Sequence, residues 1–212
     1  MELSTPIVGV LLAGGLSRRM GGGDKNLLQL DGQSILSRAI DRVKPQVQTL
    51  ILNANGDADR FSEYGLPVVK DVIDGFAGPL AGILTGLEWA SEQVPECQWV
   101  ATFATDAPFV PENLVQKLLQ AIEAEGAEMA CAMSKGRTHP PFALWPVRLK
   151  EDLRQAMIDE EMRKIDLWTA RYRIVHVPFD EAGIDPFFNI NKPDHLSEAE
   201  RFLVSTKSKE VV

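Results

Sequence analysis

Cysteine, histidine and long apolar runs are scarce in this chain, and each scarcity excludes something. The two cysteines, Cys97 and Cys131, have no metal-ligand spacing. Both fall in or beside apolar, strand-like segments, the pattern of buried, reduced thiols without a catalytic role. The three histidines, His139, His176 and His195, form no Ser-His-Asp or Cys-His pattern that can be placed on one face. His176 reads as structural, within a strand-like alternation, and His195 as exposed on a late helix. No apolar run approaches the roughly 20 residues that a membrane span needs. The start, Met1-Glu2-Leu3-Ser4, lacks the basic residues and long apolar core of a signal peptide, so a cytoplasmic location without a membrane partner is expected. Positive charge is also in deficit. A formal net charge of −8 argues against non-specific binding to nucleic acid or to an anionic membrane.

Against that acidic background, one basic, glycine-rich stretch stands out. Leu12 to Lys25 reads L-A-G-G-L-S-R-R-M-G-G-G-D-K and follows the apolar run Ile7–Leu12. Gly14, Gly15, Gly21, Gly22 and Gly23 let backbone N–H groups turn towards an anion without a Cβ in the way. Arg18, Arg19 and Lys25 add positive charge to the same loop. Such a loop after a buried strand is how α/β folds hold a polyphosphate. It is not a Walker A loop, because Lys25 lies between Asp24 and Asn26 where that motif needs Gly-Lys-Ser/Thr. It is not a dinucleotide fingerprint either, since Gly14 and Gly15 are adjacent and the next helix-like pattern begins only near Ser34.

The rest of the chain alternates strand and helix. Ile7–Leu12, Thr49–Ala54, Leu66–Val69, Val100–Thr105 and Glu128–Met133 read as strands. Ser34–Val43, Pro79–Ser91 and Pro111–Ala124 read as helices, with Ser34 an N-cap, Pro79 at a first helical position and Gly126 a stop. Arg137–Trp145 is expected to be extended, with Pro140-Pro141 kept out of a central ladder. Leu149–Met157 and Glu161–Ala170 look helical, Arg173–Pro178 resembles an edge strand, and Pro193–Leu203 forms a last helix. This alternation predicts a three-layer α/β/α fold with a mostly parallel central sheet. A single domain over residues 1–204 is expected, followed by a polar, frayed tail at 205–212.

In an open α/β sheet, ligands bind beyond the carboxyl ends of the strands. Each strand here leaves a distinctive residue at that edge: Gly14 and Gly15, then Asn53, Asp71 and Asp106. Asp106 is well placed to bind Mg²⁺, which keeps several waters and uses one or two carboxylates plus substrate phosphates. The Asp71 carboxylate suits guanine's adjacent N1–H and N2–H₂ donors, or a ribose hydroxyl. Asn53 suits base or ribose, and His139 is the one histidine retained as a ligand contact. A phosphate oxygen attacking a phosphate needs no general base but does need positive charge and alignment. Lys25, Arg18, Arg19 and a magnesium on Asp106 would supply these.

The stretch L-A-G-G-L-S-R-R-M-G-G-G-D-K resembles the signature of the molybdenum cofactor guanylyltransferases. The likeness continues in register through Asn53-Ala54-Asn55, Asp71 and Gly78-Pro79-Leu80-Ala81-Gly82-Ile83. It then runs through Thr105-Asp106-Ala107-Pro108-Phe109, His139-Pro140-Pro141-Phe142-Ala143-Leu144-Trp145 and Phe187-Phe188-Asn189-Ile190-Asn191-Lys192-Pro193. The resemblance implies a nucleotide-diphospho-sugar transferase-like (Rossmann-like) fold. It implies a reaction of GTP with molybdenum-bound molybdopterin that gives a guanine dinucleotide cofactor and pyrophosphate, with Mg²⁺ as cofactor.

Carried over by position, Leu12, Ala13 and Gly14 would contact GTP and Lys25 its phosphates. Asn53 and Asp71 would hold the nucleoside, and Asp106 would bind both GTP and the metal. Lys25, Asp106 and Arg19 would be the catalytic set, with His139, Asn189 and Asn191 towards the pterin. Proteins that deliver the pterin or accept the product are further candidate partners. The alternatives are a cytidylyltransferase for the same pterin or a small alcohol phosphate, a non-catalytic cofactor carrier, and a sugar-nucleotide pyrophosphorylase. Cytidylyl-type loops tend to read L-A-A-G, so Gly14 favours guanine. A carrier has less use for both Lys25 and Asp106, and a pyrophosphorylase loop usually carries Gly-Thr-Arg where this chain has Leu16-Ser17-Arg18-Arg19. Residues 148–184 match no motif.

Overall fold

The computed structural model describes residues 6–13, 27–75, 78–179 and 183–210, the last five by backbone alone. Among these, seven strands form one sheet in the order β5-β4-β1-β6-β8-β7-β9. These are β1 (Ile7–Leu12), β4 (Thr49–Asn53), β5 (Val68–Val69), β6 (Trp99–Ala104), β7 (Met129–Ser134), β8 (Arg137–Pro146) and β9 (Ile174–Pro178). A separate two-stranded ribbon joins β2 (Gln29–Leu30) to β3 (Gln33–Ser34). β8 runs antiparallel to both its neighbours, and every other pairing in the large sheet is parallel.

The two faces of the sheet follow from period-two alternation along β1. Ile7 and Leu11 enter a core with α1 (Ile35–Val43) and α3 (Leu114–Glu125), whereas Val8 and Val10 face α2 (Pro79–Gln93), α4 (Lys150–Asp159) and α5 (Ile165–Thr169). A third cluster joins Leu30, Ile35, Phe109, Ile190 and Ala199, so that the ribbon and α6 (Pro193–Glu210) pack together. The three-layer architecture is therefore the expected one.

Local signals act where the sequence places them. The Ser34 hydroxyl accepts from Ser37 N–H at 3.0 Å and opens α1. Gly126, at φ 57°, closes α3 in the left-handed conformation. Pro140 and Pro141 lie in β8, which is an interior strand. The β7–β8 register jumps there, from Ala143 opposite Cys131 to His139 opposite Ala132, and the prolines fall in that bulge.

Two expected elements are shorter than the sequence suggests. α3 begins at Leu114 rather than Pro111. Of the segment 161–170, only Ile165–Thr169 is helical. Glu161 takes φ 55°, and Met162 N–H reaches back to Ala156 O at 3.0 Å, which ends α4 and starts an extended connection. α6, by contrast, continues to Glu210, beyond the predicted end at Leu203.

Candidate active site

The carboxyl ends of the parallel strands are level. Leu12 pairs in register with Asn53 on one side and Ala104 on the other, and Asn53 with Val69. The chain leaving each strand therefore emerges at one rim, where Ala13, Ala54 and Thr105 follow β1, β4 and β6. Ala13 N–H donates to Asn53 O at 2.9 Å, and the Thr105 hydroxyl to Leu12 O at 3.3 Å. These bonds fix the exit of β1, where the glycine-rich loop departs. Gly14, Gly15, Arg18, Arg19 and Lys25 themselves lie outside the described residues.

Asn53 and Asp71 are in contact. Asn53 is buried, and its Nδ2 donates to Val69 O at 3.2 Å and to Asp71 Oδ1 at 2.9 Å. Asn55 Nδ2 donates to the other carboxylate oxygen, Oδ2, at 2.7 Å, while Asn55 Oδ1 accepts from Asp71 N–H at 3.0 Å. Arg60 Nη2 holds the Asn55 carbonyl at 2.9 Å. One residue beyond Asp71, Val72 N–H donates to the buried Thr85 hydroxyl at 3.1 Å, and this ties the loop to α2.

Asp106, 8% exposed, follows β6. Its backbone carbonyl accepts from Ile190 N–H at 2.9 Å, so the segment carrying Asn189 and Asn191 is held against the end of β6. Among the described residues, no cluster of three or more His, Cys, Asp or Glu could hold a metal. A single carboxylate at the rim nevertheless fits a hard divalent cation of the magnesium type, whose remaining ligands are waters and substrate phosphates.

His139 belongs to a different constellation. Its Nε2 is 2.7 Å from Ser134 Oγ, which is 2.9 Å from each carboxylate oxygen of Asp185. Ser134 is buried, and its hydroxyl has one proton to give. Donated to Asp185, that proton leaves the oxygen to accept from His139 Nε2–H. The serine is thus the middle member and a structural bridge, without the serine-to-histidine proton donation that activates a nucleophile. Asp185 Oδ1 also accepts from Phe187 N–H at 2.9 Å, and the Phe187 ring lies 4.7 Å from the His139 ring. Burial pushes the His139 pKa below its ordinary value, with Arg137 acting in the same direction and Asp185 opposing them.

Asn189 Oδ1 is buried without a hydrogen-bond partner among the described residues, and Asn191 is exposed. His195, read from sequence as exposed, is half-buried. Its Nδ1 sits 3.0 Å from Asn189 O and 3.3 Å from Asn191 N, with its ring against Phe188. His176 is exposed on edge strand β9.

Comparison with known proteins decides the family. Residues 9–172 match the model of the MobA-like NTP transferase domain. A molybdenum cofactor guanylyltransferase of Mesorhizobium japonicum is 51% identical over 205 residues, covering 95% of this chain and 98% of that protein. One from Bradyrhizobium sp. is 50% identical over 198 residues and 93% of each chain. The chain belongs to the molybdenum cofactor guanylyltransferase family.

The crystal structure of molybdopterin-guanine dinucleotide biosynthesis protein A from Archaeoglobus fulgidus superposes with a TM-score of 0.74 at 25% identity. It covers 94% of this chain and 99% of that one. The fold is accordingly nucleotide-diphospho-sugar transferase-like, and the chain is a nucleotidyltransferase by family. NTP transferases of this kind typically act with a divalent cation. Among the described residues, no helix is long and apolar enough to cross a membrane.

For this guanylyltransferase-family chain, sequence reasoning gave no role to three residues. Asn55 was visible in the Asn53-Ala54-Asn55 motif, and its i+2 spacing from Asn53 was the available signal. Ser134 lies across a tight hairpin from His139, but Asp185 is 51 residues from Ser134, and nothing local in the sequence links them.

Proposed function

We propose that this chain transfers GMP from GTP to the terminal phosphate of molybdenum-bound molybdopterin, forming the guanine dinucleotide cofactor and releasing pyrophosphate. The observation that carries this reading is the level rim. There β5, β4, β1 and β6 end side by side, with Leu12-Ala13, Asn53, Asp71 and Asp106 at or just beyond their carboxyl ends, in a chain half identical to guanylyltransferases over nearly its whole length.

A terminal phosphate oxygen of the pterin attacks the α-phosphorus of GTP in line. The new O–P bond forms as the bond from the α-phosphorus to the bridging oxygen of the β-phosphate breaks, and that oxygen leaves with pyrophosphate. The nucleophile is already anionic, so no side chain has to remove a proton. Lys25 and Arg19 neutralise the charge that builds on the phosphates, and Leu12, Ala13 and Gly14 contact the nucleotide. Asn53 and Asp71 hold the nucleoside. Asp106 would hold Mg²⁺, which when bound supplies charge neutralisation at the phosphate oxygens. Asn189, whose carbonyl oxygen has no hydrogen-bond partner among the described residues, and Asn191 lie towards the pterin side, while His139 acts there through the segment it braces. The buried, reduced thiols favour a cytoplasmic setting, in which proteins that deliver the pterin or accept the product would be met.

Calorimetric titration with GTP, CTP and ATP, each with and without Mg²⁺, tests the reading. GTP preference that strengthens with magnesium is the expected result and justifies the molybdopterin assay. CTP preference would assign the chain to cytidylyl transfer instead, and binding of none would overturn the loop assignment.

A further inference from the structure

Asn53 and Asn55 are two residues apart, so in extended chain their side chains leave on the same side. Both reach Asp71. Asn53 takes Oδ1 and Asn55 takes Oδ2, and Asn55 Oδ1 also receives the Asp71 backbone N–H. The second contact closes a two-bond ring between Asn55 and Asp71. A carboxylate anchored at one oxygen can still rotate about its side-chain torsions, whereas anchorage at both fixes its plane. The two anchors are neutral amides. With about four lone-pair positions in all, the carboxylate has acceptor capacity left for a ligand beyond these two bonds among the described residues.

Fixing that plane matters for one class of ligand more than another. Ribose hydroxyls rotate to meet an acceptor in many orientations. Guanine's N1–H and N2–H₂ donors are rigid and coplanar, so they need an acceptor pair already set in the plane of the base. A doubly anchored carboxylate is such a pair. We infer that Asn55 is a positioning residue for nucleotide selection: it locks the Asp71 carboxylate edge-on to the N1–H/N2–H₂ edge of guanine. The inference rests on the guanylyl-transfer reading and adds to it the atoms that select the base.

Asn55 is exposed and outside the sheet, so its replacement leaves the core intact. The test is calorimetric binding of GTP, inosine triphosphate (the same ring without the N2 amine) and 2′-deoxy-GTP to the wild-type chain, Asn55→Ala and Asn55→Asp, all with Mg²⁺. Wild type should prefer GTP to inosine triphosphate by about tenfold, the scale of one hydrogen bond to a charged group. Asn55→Ala should lose roughly tenfold or more in GTP affinity and a smaller amount for inosine triphosphate, which keeps only the N1–H donor, so that most of that preference disappears at an unchanged melting temperature. Asn55→Asp should bind GTP more weakly still, because a second carboxylate faces Asp71.

In turnover, Asn55→Ala should raise KM for GTP and leave kcat at saturation unchanged, the mark of lost uniform binding. GTP affinity equal to wild type in Asn55→Ala overturns the inference. So does an equal loss for GTP and inosine triphosphate, or discrimination that moves to 2′-deoxy-GTP, which would put Asp71 on the ribose. A wild-type chain that binds none of the three overturns the guanylyl-transfer reading itself, and that outcome is visible before any variant is made.

Discussion

Gly82 leaves the space that the Asn53 carboxamide fills. A methyl group at Gly82 would lie 2.4 Å from Asn53 Oδ1 and 2.6 Å from Leu12 Cδ2, both inside contact distance and both belonging to buried or half-buried groups. α2 can therefore press against the rim only because it presents no side chain there. Gly82→Ala should either displace α2 or turn the Asn53 amide away from Asp71. Over-packing of this kind costs about 1–3 kcal/mol, which for a chain of this size lowers Tm by roughly 2–10 °C. The variant should also weaken GTP binding more than its stability loss explains. A Gly82→Ala protein with wild-type Tm and wild-type GTP affinity would show that the helix yields freely and that the fit is incidental.

Asp106 carries a sharper expectation. It is nearly buried at the end of β6, and its backbone carbonyl anchors Ile190. The side chain can be changed without touching that backbone bond. Asp106→Asn is nearly isosteric but removes the charge that would hold a cation, so turnover should fall by about two to three orders of magnitude, the scale of losing one preorganised electrostatic contact. Thermal stability should change little, and the magnesium dependence of GTP binding should disappear. Turnover within a factor of two of wild type would place the metal elsewhere.

Much of this arrangement is legible in sequence because its signals are local. The apolar run of β1, the Ser34 cap, the Gly126 stop and the polar residues at the end of β4 and just past β6 each depend on neighbours within a few positions. Pro140 and Pro141 are expected to be kept out of a central ladder position, and within interior strand β8 they sit in a bulge. The sequence could not reveal that the strand carrying them is an interior one, because strand order depends on packing between distant segments. The short α5 was illegible for another reason. Glu161 in a left-handed conformation has no side-chain signature, unlike Gly126, so the break before Ile165 goes unmarked. The Ser134–Asp185 contact joins residues far apart in the chain, and the role of Asn55 depends on β5 bringing Asp71 alongside β4.

The Ser134 bridge ties β7 and β8 to the segment that runs from Asp185 to Ile190. Ser134→Ala would remove the hydroxyl that both Asp185 and His139 use, leaving buried or half-buried polar groups unsatisfied at a cost of about 1–3 kcal/mol. The loss should reach the Asn189 segment, since Asp185 also caps Phe187 N–H. We expect a lowered Tm together with faster amide exchange at residues 187–190, while GTP binding at the Asn53–Asp71 end is retained. Exchange at 187–190 that matches wild type would show that Phe187 packing alone holds the segment.

The two thiols should be inert in the native state. Cys131 is buried on β7, and burial pushes its thiol pKa up to about 12; Cys97 is buried and raised in the same direction. Thiolate, the reactive form, is therefore scarce at neutral pH. An excess of a disulfide reagent such as DTNB should leave both unmodified in buffer and titrate both in denaturant. Rapid labelling of either one under native conditions would mean that the strand carrying it opens far more often than a core strand should.

His139 supplies the pH dependence. Its proton affinity in the folded state is reduced, chiefly by burial, so the unfolded chain binds a proton more readily than the native one. The resulting stabilisation is fully present above the ordinary histidine range near about 6.5 and is lost as pH falls through the lower native value. Protonation would also add charge beside Arg137, against which Asp185 offers partial compensation. Tm should therefore decline as pH is lowered from about 7 to 5, beyond the decline due to carboxylates. His139→Asn, whose amide can still donate to Ser134, should show a shallower decline over the same interval. Identical slopes in wild type and variant would mean that His139 takes up its proton in the native state without penalty, and that the Ser134–Asp185 bridge tolerates an imidazolium.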